Sequence, residues 1–331
     1  FRSLAILTGA KNFAHPVIGS PTLNQWGLHA WRVRLAMRMA ERRRRALAHL
    51  VDPADRVRFD RDGFIEKRNF LPPETFARLR AEVAALPAKS REMQEGDAVT
   101  RRIPLTPEVL RRSPGLSALV DHPVFRGLTR YAASRDAEPW LSVQTILSHA
   151  RPGATDPQTA MHMDTFHPNM KAWFLLQDVA DADGPLTYIP GSHRLTPRRL
   201  AWHRSESRRA AARHTGGAFR ISCAQATSLH LPPACRFAVP ANTLIVADVF
   251  GFHARGEAVQ RSIRVEIYAI SRPSPFLPFA AAPLERVLPL LRRRKVSLQW
   301  WAQDRLAPLG MMRRIWRPAR HGAFDAAETN P

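Results

Sequence analysis

Apolar and polar positions change their spacing partway along the chain. Between Trp26 and Leu50, the residues Leu28, Trp31, Leu35 and Met39 recur at helical spacing, while Arg34, Arg38, Arg42 and Arg45 fall on a different face. This pattern predicts a basic amphipathic helix. Residues 57–86 read as a short strand at Gly63-Phe64-Ile65, a loop holding Pro72 and Pro73, and a helix with Phe76, Leu79, Val83 and Leu86 on one face. Helical character is expected to continue to about residue 135, through Pro107–Arg112, Leu116–Val120 and Pro123–Ser134. From Trp140 short apolar or alternating runs take over: Leu141–Ser148, Ala172–Val179, Leu186–Ile189, Cys235–Val239, Leu244–Ala247 and Ile263–Ile270, separated by turn residues. Alternation of this kind predicts an antiparallel β-sandwich or barrel, with residues 191–234 as an Arg-rich, partly helical excursion.

Length and composition narrow the class. A chain of 331 residues can bury one sizeable core, and no internal repeat divides it. Two cysteines, Cys223 and Cys235, exclude a disulfide framework and a Cys-based zinc module, which suits a reducing compartment. Apolar runs such as Leu244–Val249 end far short of the roughly 18 residues a spanning helix needs, so the chain is not expected to be integral to a membrane. It begins at Phe1, so no signal peptide is argued for or against.

Charge changes the picture most. The net charge of +22 is concentrated: residues 1–50 carry +8, residues 281–321 carry +8 and residues 194–220 carry +7, leaving −1 on everything else. A nearly neutral body with three basic patches suits an anionic partner such as a membrane surface, a polyanionic substrate or nucleic acid. Trp26, Trp31, Trp300, Trp301 and Trp316 lie among these arginines, as in interfacial anchors. The same stripe also suits helices that pack their Trp and Leu on the core. With three Tyr and no stacking platform, nucleic acid is the weaker candidate. There is no nucleophile elbow, P-loop or dinucleotide fingerprint.

One constellation carries chemistry. His162-Met163-Asp164 places a His and an Asp on one face of extended chain, where both can reach a single ion. His253, after the apolar run Leu244–Phe250, is the candidate third ligand from a later strand. Two His and one carboxylate make the facial triad of non-haem Fe(II), which leaves adjacent positions open. Among 13 His the tripeptide alone says little, so its context decides.

That context resembles the phytanoyl-CoA dioxygenase family over about residues 57–271. The likeness rests on Phe59-Asp60-Arg61-Asp62-Gly63-Phe64-Ile65 followed by Asn69-Phe70-Leu71, on His162-Met163-Asp164, on Gly184-Pro185-Leu186-Thr187-Tyr188-Ile189-Pro190-Gly191-Ser192-His193, and on His253 with Arg264 eleven residues later. The resemblance implies a mainly β fold with flanking helices, a cupin-like jelly roll or double-stranded β-helix. It also implies Fe(II) as cofactor, with 2-oxoglutarate and O2 as cosubstrates. It makes His162, Asp164 and His253 the iron ligands and Arg264 the anchor for the distal carboxylate of 2-oxoglutarate, with a surface ion pair to Glu257 or Glu266 as the alternative for Arg264. Gln144 and Thr187 are expected beside the cosubstrate. Arg255 replaces the small hydroxyl residue many relatives carry two positions after the distal His, so it is expected to reshape the pocket or face substrate. His193 and Arg194 are candidate substrate contacts. Asp164 supplies the carboxylate that family halogenases lack, which favours hydroxylation.

These readings divide the chain into a basic N-terminal region, 1–56, that is a candidate membrane-surface contact, a dioxygenase domain, 57–275, containing the insertion 191–234, and a Trp/Arg-rich C-terminal extension, 276–331. The expected substrate is an anionic, membrane-associated lipid or sugar such as Kdo of lipopolysaccharide, the substrate of the family's Kdo hydroxylase branch. An acyl-CoA or small metabolite is the alternative, and a non-enzymatic jelly roll binding polyanions a distant one. The expected location is cytoplasmic, peripheral on the inner face of the cell membrane, with the oligomeric state left open.

Overall fold

The alternation beyond Trp140 becomes two antiparallel sheets. The computed structural model describes residues 2–87, 89–151, 153–281, 293–312, 314–320 and 322–325. The N-terminal half supplies helices α1 (Pro21–Gln25), α2 (Leu28–Ala46) and α3 (Pro53–Asp62), strand β1 (Phe64–Lys67) and helix α4 (Pro73–Ala84). It continues with strands β2 (Arg91–Glu95) and β3 (Ala98–Pro104) and helices α5 (Pro107–Arg112), α6 (Pro114–Asp121) and α7 (Pro123–Ala133). Strands β4 (Trp140–Ser148), β5 (Met170–Leu175) and β6 (Leu186–Tyr188) precede helices α8 (Pro197–Arg213) and α9 (Cys223–Ser228). The chain returns through β7 (Cys235–Arg236), β8 (Thr243–Asp248), β9 (His253–Arg255) and β10 (Ser262–Ser271), then α10 (Lys295–Leu306) and β11 (Arg317–Pro318). The large sheet runs β1-β8-β5-β10-β4-β3-β2-β11 and the small sheet β7-β6-β9. Helices flank them, and the fold is a cupin-like jelly roll.

Strand alternation sorts the two faces of the large sheet. Leu141, Val143, Ala172, Phe174, Leu244, Val246, Ile267 and Ala269 point to helices α3 to α7, where they meet Phe59, Leu79, Leu116, Phe125 and Leu128. Each Val, Leu, Ile or Phe among them contributes about 1.5–3 kcal/mol by leaving water. The intervening positions face the small sheet, where Trp173, Ile245, Ala247 and Tyr268 pack with Tyr188 and Phe237. In the register of β10 with β4, Arg264, Glu266 and Tyr268 lie opposite Ile146, Gln144 and Ser142. That row of polar side chains belongs to the inner face.

Two sequence expectations change. Residues 91–104 are a hairpin, not part of a helical stretch, because Gly96 turns the chain at φ 60° and β3 joins β4. Its strand pattern is hidden by charge, since Arg101 is fully buried with its Nε 3.1 Å from Glu92 Oε2. In α2 the arginines 34, 38, 42 and 45 are exposed as the spacing predicts. The buried face, however, is Ala30, Val33, Ala36, Met37 and Ala40 with Arg32, Arg43 and Arg44, whereas Trp31 is exposed and Leu28, Leu35 and Met39 are half-buried. Small residues let α2 approach α8, and both share a core with Phe13, Met163, Trp202, Phe219, Phe250 and Phe252.

Helix α2 is therefore built into the body. Arg44 Nη2 donates to Asp248 Oδ2 at 2.8 Å and to the Ala132 carbonyl at 2.7 Å, and its guanidinium lies 4.8 Å from the Phe59 ring centre. Asp248 Oδ1 accepts the backbone amides of Asn169 and Phe250 at 3.1 and 3.0 Å. Arg43 is held by Ser134, and Arg32 donates to the carbonyls of Ile6, Thr8 and Ala10.

Removing one member of a buried pair leaves an uncompensated charge, which costs about 3–5 kcal/mol. Arg44→Ala is expected to lower unfolding stability by that amount in denaturant titration, and a change under 1 kcal/mol would show that the pair is dispensable. A second outcome concerns acid. His29 and His203 bridge α2 and α8, Nε2 to Nδ1 at 3.3 Å, inside the aromatic core. Burial, aided by Arg32, pushes His29 down to about 3, and burial holds His203 well below the usual histidine range. The folded state keeps both neutral, while the unfolded chain protonates them below about 6.5. Stability is thus present above about pH 6.5 and falls as the pH drops toward the folded value near 3. Melting curves across this range should show the decline, and His29→Leu with His203→Leu should reduce its slope.

Candidate metal centre

His162 lies between β4 and β5, and His253 opens β9. Their backbones bond reciprocally, His162 N–H to the His253 carbonyl at 3.0 Å and His253 N–H to the His162 carbonyl at 2.9 Å. This fixes the imidazoles side by side, with ring centres 4.7 Å apart. Extended chain then alternates: Met163 enters the core behind α8, and Asp164 returns to the side of His162, its amide donating to the Val249 carbonyl at 3.2 Å. Gly251, two residues before His253, sits where any Cβ would lie 1.8 Å from the Tyr188 hydroxyl, so only glycine fits that turn.

The ring orientations are set from behind. His162 Nδ1 donates to the Ala160 carbonyl at 2.7 Å and His253 Nδ1 to the Gly251 carbonyl at 3.0 Å, which leaves both Nε2 atoms free for an ion. These lie 3.6 and 3.5 Å from Asp164 Oδ1. One donor atom from each residue falls within 4.8 Å of the others, the one such His/Cys/Asp/Glu group among the described residues. An ion about 2.0–2.2 Å from each donor spans the 3.6 and 3.5 Å separations between Asp164 and the two imidazoles. Burial opposes ionisation of Asp164, but the charge of Lys171, together with the adjacent His162 and His253 imidazoles, outweighs it and holds the carboxyl well below its usual range. Burial pushes His253 down to about 4 despite Asp164. A charged carboxylate and a neutral imidazole at neutral pH are what a divalent cation requires.

Basic groups crowd this carboxylate. Lys171 Nζ lies 2.9 Å and Arg272 Nη2 3.0 Å from Asp164 Oδ2, and Lys11 donates to the Asp164 carbonyl. Sequence reasoning missed all three. The signal for Lys171 was a cation at an inward position of the apolar strand Met170-Lys171-Ala172-Trp173-Phe174-Leu175.

The triad opens on a cavity of about 760 Å³. Arg264, Gln144 and Arg255 line it with the triad. Arg264 is buried, donates from Nη1 to the Gly184 carbonyl at 2.5 Å and has Nε 3.2 Å from Glu266 Oε2. Its pair with Glu266 is thus a buried contact, not a surface one. Gln144 Nε2 donates to Glu266 Oε1 at 2.6 Å. Arg255 donates to Asp156 Oδ2 at 2.5 Å. Other expected residues lie elsewhere. Thr187 is outside the lining, because strand alternation turns Leu186 inward instead. His193 is buried against Phe59 beneath α3, and Arg194 is exposed at the following turn, so neither lines the cavity. Of the two readings open for the Trp-rich end, Trp300 takes the packed one: it is buried in the cavity wall, 6.4 Å from the Trp316 ring.

No curated protein matches this chain in sequence. Among solved structures it is similar to the α-ketoglutarate-dependent epimerase SnoN from nogalamycin biosynthesis, at 19% identity over 66% of this chain and 83% of that one, TM-score 0.41. AviO1 from Streptomyces viridochromogenes Tue57 is similar at 20% identity over 67% of this chain and 97% of that one, TM-score 0.40. HygX from Streptomyces hygroscopicus, with nickel and 2-oxoglutarate bound, is similar at 16% identity over 66% and 86%, TM-score 0.40. Residues 59–222 match the family Phytanoyl-CoA dioxygenase (PhyH). That segment holds His162 and Asp164, to which the fold adds His253, and the chain belongs to the phytanoyl-CoA dioxygenase family as a 2-oxoglutarate-dependent oxygenase with iron and 2-oxoglutarate as its cofactors.

Proposed function

We propose that this oxygenase hydroxylates an anionic substrate presented at a membrane surface, a lipid or sugar such as Kdo of lipopolysaccharide. The observation that carries this reading is the charge of the cavity. Lys171, Arg102, Arg255, Arg264, Arg272 and Lys295 line it, against Glu95, Glu138 and Asp164. An uncharged substrate would gain nothing from that excess.

In this reading His162, Asp164 and His253 hold the iron, and Arg264 takes the distal carboxylate of 2-oxoglutarate. When bound, iron with 2-oxoglutarate and O2 supplies the oxidation of a C–H bond to an alcohol, with 2-oxoglutarate converted to succinate and CO2. The chain orients and encloses the reactants. Glu266 steers Arg264 from one side and the Gly184 carbonyl from the other, so the guanidinium presents a fixed edge. Lys171 and Arg272 stabilise the charged form of Asp164, which keeps a carboxylate at the third ligand position and favours hydroxylation over halogenation. The Trp300 and Trp316 rings shield one wall from water.

Membrane presentation is supported by the surface beside the cavity. Ile315 lines the cavity and is half exposed, and Leu298, Trp301, Leu309, Met311 and Met312 are exposed apolar side chains on and after α10. Arg305 lies 5.9 Å from the Trp301 ring centre, and Arg314 and Arg317 follow. Among the described residues no helix is long and apolar enough to cross a membrane, so the contact proposed is superficial.

His162→Ala, Asp164→Ala and His253→Ala should each abolish iron-dependent consumption of 2-oxoglutarate while leaving far-ultraviolet circular dichroism unchanged. Near-normal consumption in any of them would strike that residue from the site. Arg264→Ala should raise the 2-oxoglutarate requirement, a loss of about 2–5 kcal/mol for a buried carboxylate deprived of its charged partner. For the surface, the protein should sediment with anionic vesicles at low salt, bind neutral vesicles poorly and detach as salt rises, with Trp301→Ala and Leu309→Ala weakening the association. Binding to neither vesicle, or to both equally, would turn the reading toward a soluble acyl-CoA or metabolite.

A further inference from the structure

The cations lining the cavity are not equivalent. Arg255 is paired with Asp156, Arg264 with Glu266, and Arg272 and Lys171 with Asp164. Arg102 also lines the cavity, yet no carboxylate of the described residues lies within ion-pair distance of it. Its Nε donates to Gln144 Oε1 at 2.7 Å. Its guanidinium is held between two rings, 4.4 Å from the Tyr268 centre and 4.6 Å from the Trp316 centre. Register explains the placement: Arg102 on β3 lies opposite Gln144 on β4, which lies opposite Glu266 on β10. A chain of contacts thus runs from Arg264 through Glu266 and Gln144 to Arg102.

We propose that Arg102 is the anchor for an oxyanion of the substrate, a carboxylate or phosphate, and so a specificity-determining residue. The Tyr268 and Trp316 rings lie against its guanidinium, the Tyr268 hydroxyl is a hydrogen-bond partner, and one edge is tied down by Gln144. The Nη edge remains, a planar fork whose geometry fits two oxygens of one anion. Aromatic faces weaken its hydration, so an incoming anion displaces little water. Burial draws the Arg102 pKa down, with the Tyr268 hydroxyl and Glu266 opposing it. The C-terminal segment completes the subsite, because Trp316 precedes β11, the strand that docks on β2. Arg91 holds that segment in place by its pair with Asp304 and by lying 5.0 Å from the Trp300 ring centre. The subsite sharpens the function proposed above and rests on it for the word substrate, but its anion chemistry stands on the Arg102 geometry.

The test uses the full chain loaded with Mn(II), a redox-silent substitute for iron, and 2-oxoglutarate. Tryptophan fluorescence is followed while glucuronate, glucose 6-phosphate and the uncharged methyl ester of glucuronate are added at constant ionic strength. One or both anions should give a saturable change and the ester none, the preferred anion telling carboxylate from phosphate. Trp316→Phe should remove most of the signal. Arg102→Lys should weaken binding about tenfold or more, and Arg102→Gln should abolish it, with 2-oxoglutarate affinity changed much less. If Arg102→Gln lowers the melting temperature, Arg102→Lys carries the comparison. Equal binding by wild type and variants, no saturable change in the wild type, or a matching loss of 2-oxoglutarate affinity would overturn the proposal. A wild type that binds the anions through Arg102 but not Mn(II) with 2-oxoglutarate would instead sink the cofactor-site assignments and leave the subsite standing.

Discussion

The carboxylate of Asp248, fully buried at the end of β8, ties together the segments on which the metal centre is built. One oxygen takes Arg44 of α2, and the other takes the amides of Asn169 and Phe250. The Asp248 carbonyl also accepts the Tyr188 hydroxyl at 2.8 Å, which clamps the small sheet to the large one. From this point the chain passes through Val249, whose carbonyl positions Asp164, and Gly251, whose carbonyl orients His253. A single desolvated charge thus sets both loops that carry ligands, and its partner comes from nearly the far end of the sequence. Such a pair adds little net stability when intact, but its loss is costly, which makes it a device for geometry more than for strength.

Charge is used in three ways in this molecule. Arg32, Arg43, Arg44, Arg101 and Arg199 are buried and tie loops and helices together by donating to carbonyls and carboxylates. Arg102, Arg255, Arg264 and Lys171 turn inward and give the cavity its sign. Arg34, Arg38, Arg42 and Arg45 stay in solvent and are available to an anionic surface. The +22 of the chain is therefore a poor guide to the field it projects, since part of it is consumed internally.

The described part of the C-terminal extension divides its tryptophans between two environments. Trp300 and Trp316 turn toward the cavity, whereas Trp301 and Leu309 turn outward. Trp300 and Trp301 divide in this way because successive residues on a helix are separated by about 100°. A substrate arriving from a surface would meet the outer face first and the arginine fork next.

The sequence by itself determined the alternating strands and the helices before them, because periodicity is a local property of a chain, while His162, Asp164 and His253 were candidates from motif order and Arg264 from the family resemblance. The fold then brought these residues to one cavity. It did not determine the hairpin at 91–104, whose strand alternation is masked by an arginine that only tertiary pairing with Glu92 makes burial-tolerant. Nor did it separate Thr187, His193 and Arg194 from the site, since which side of a strand or turn faces the cavity depends on register with a distant partner. Arg32, Arg43 and Arg44 read as solvent charges until carbonyls and Asp248 from other segments surround them. Arg102 and Lys171 were silent for the same reason: an isolated basic residue acquires a role only when the sheet decides what stands opposite it.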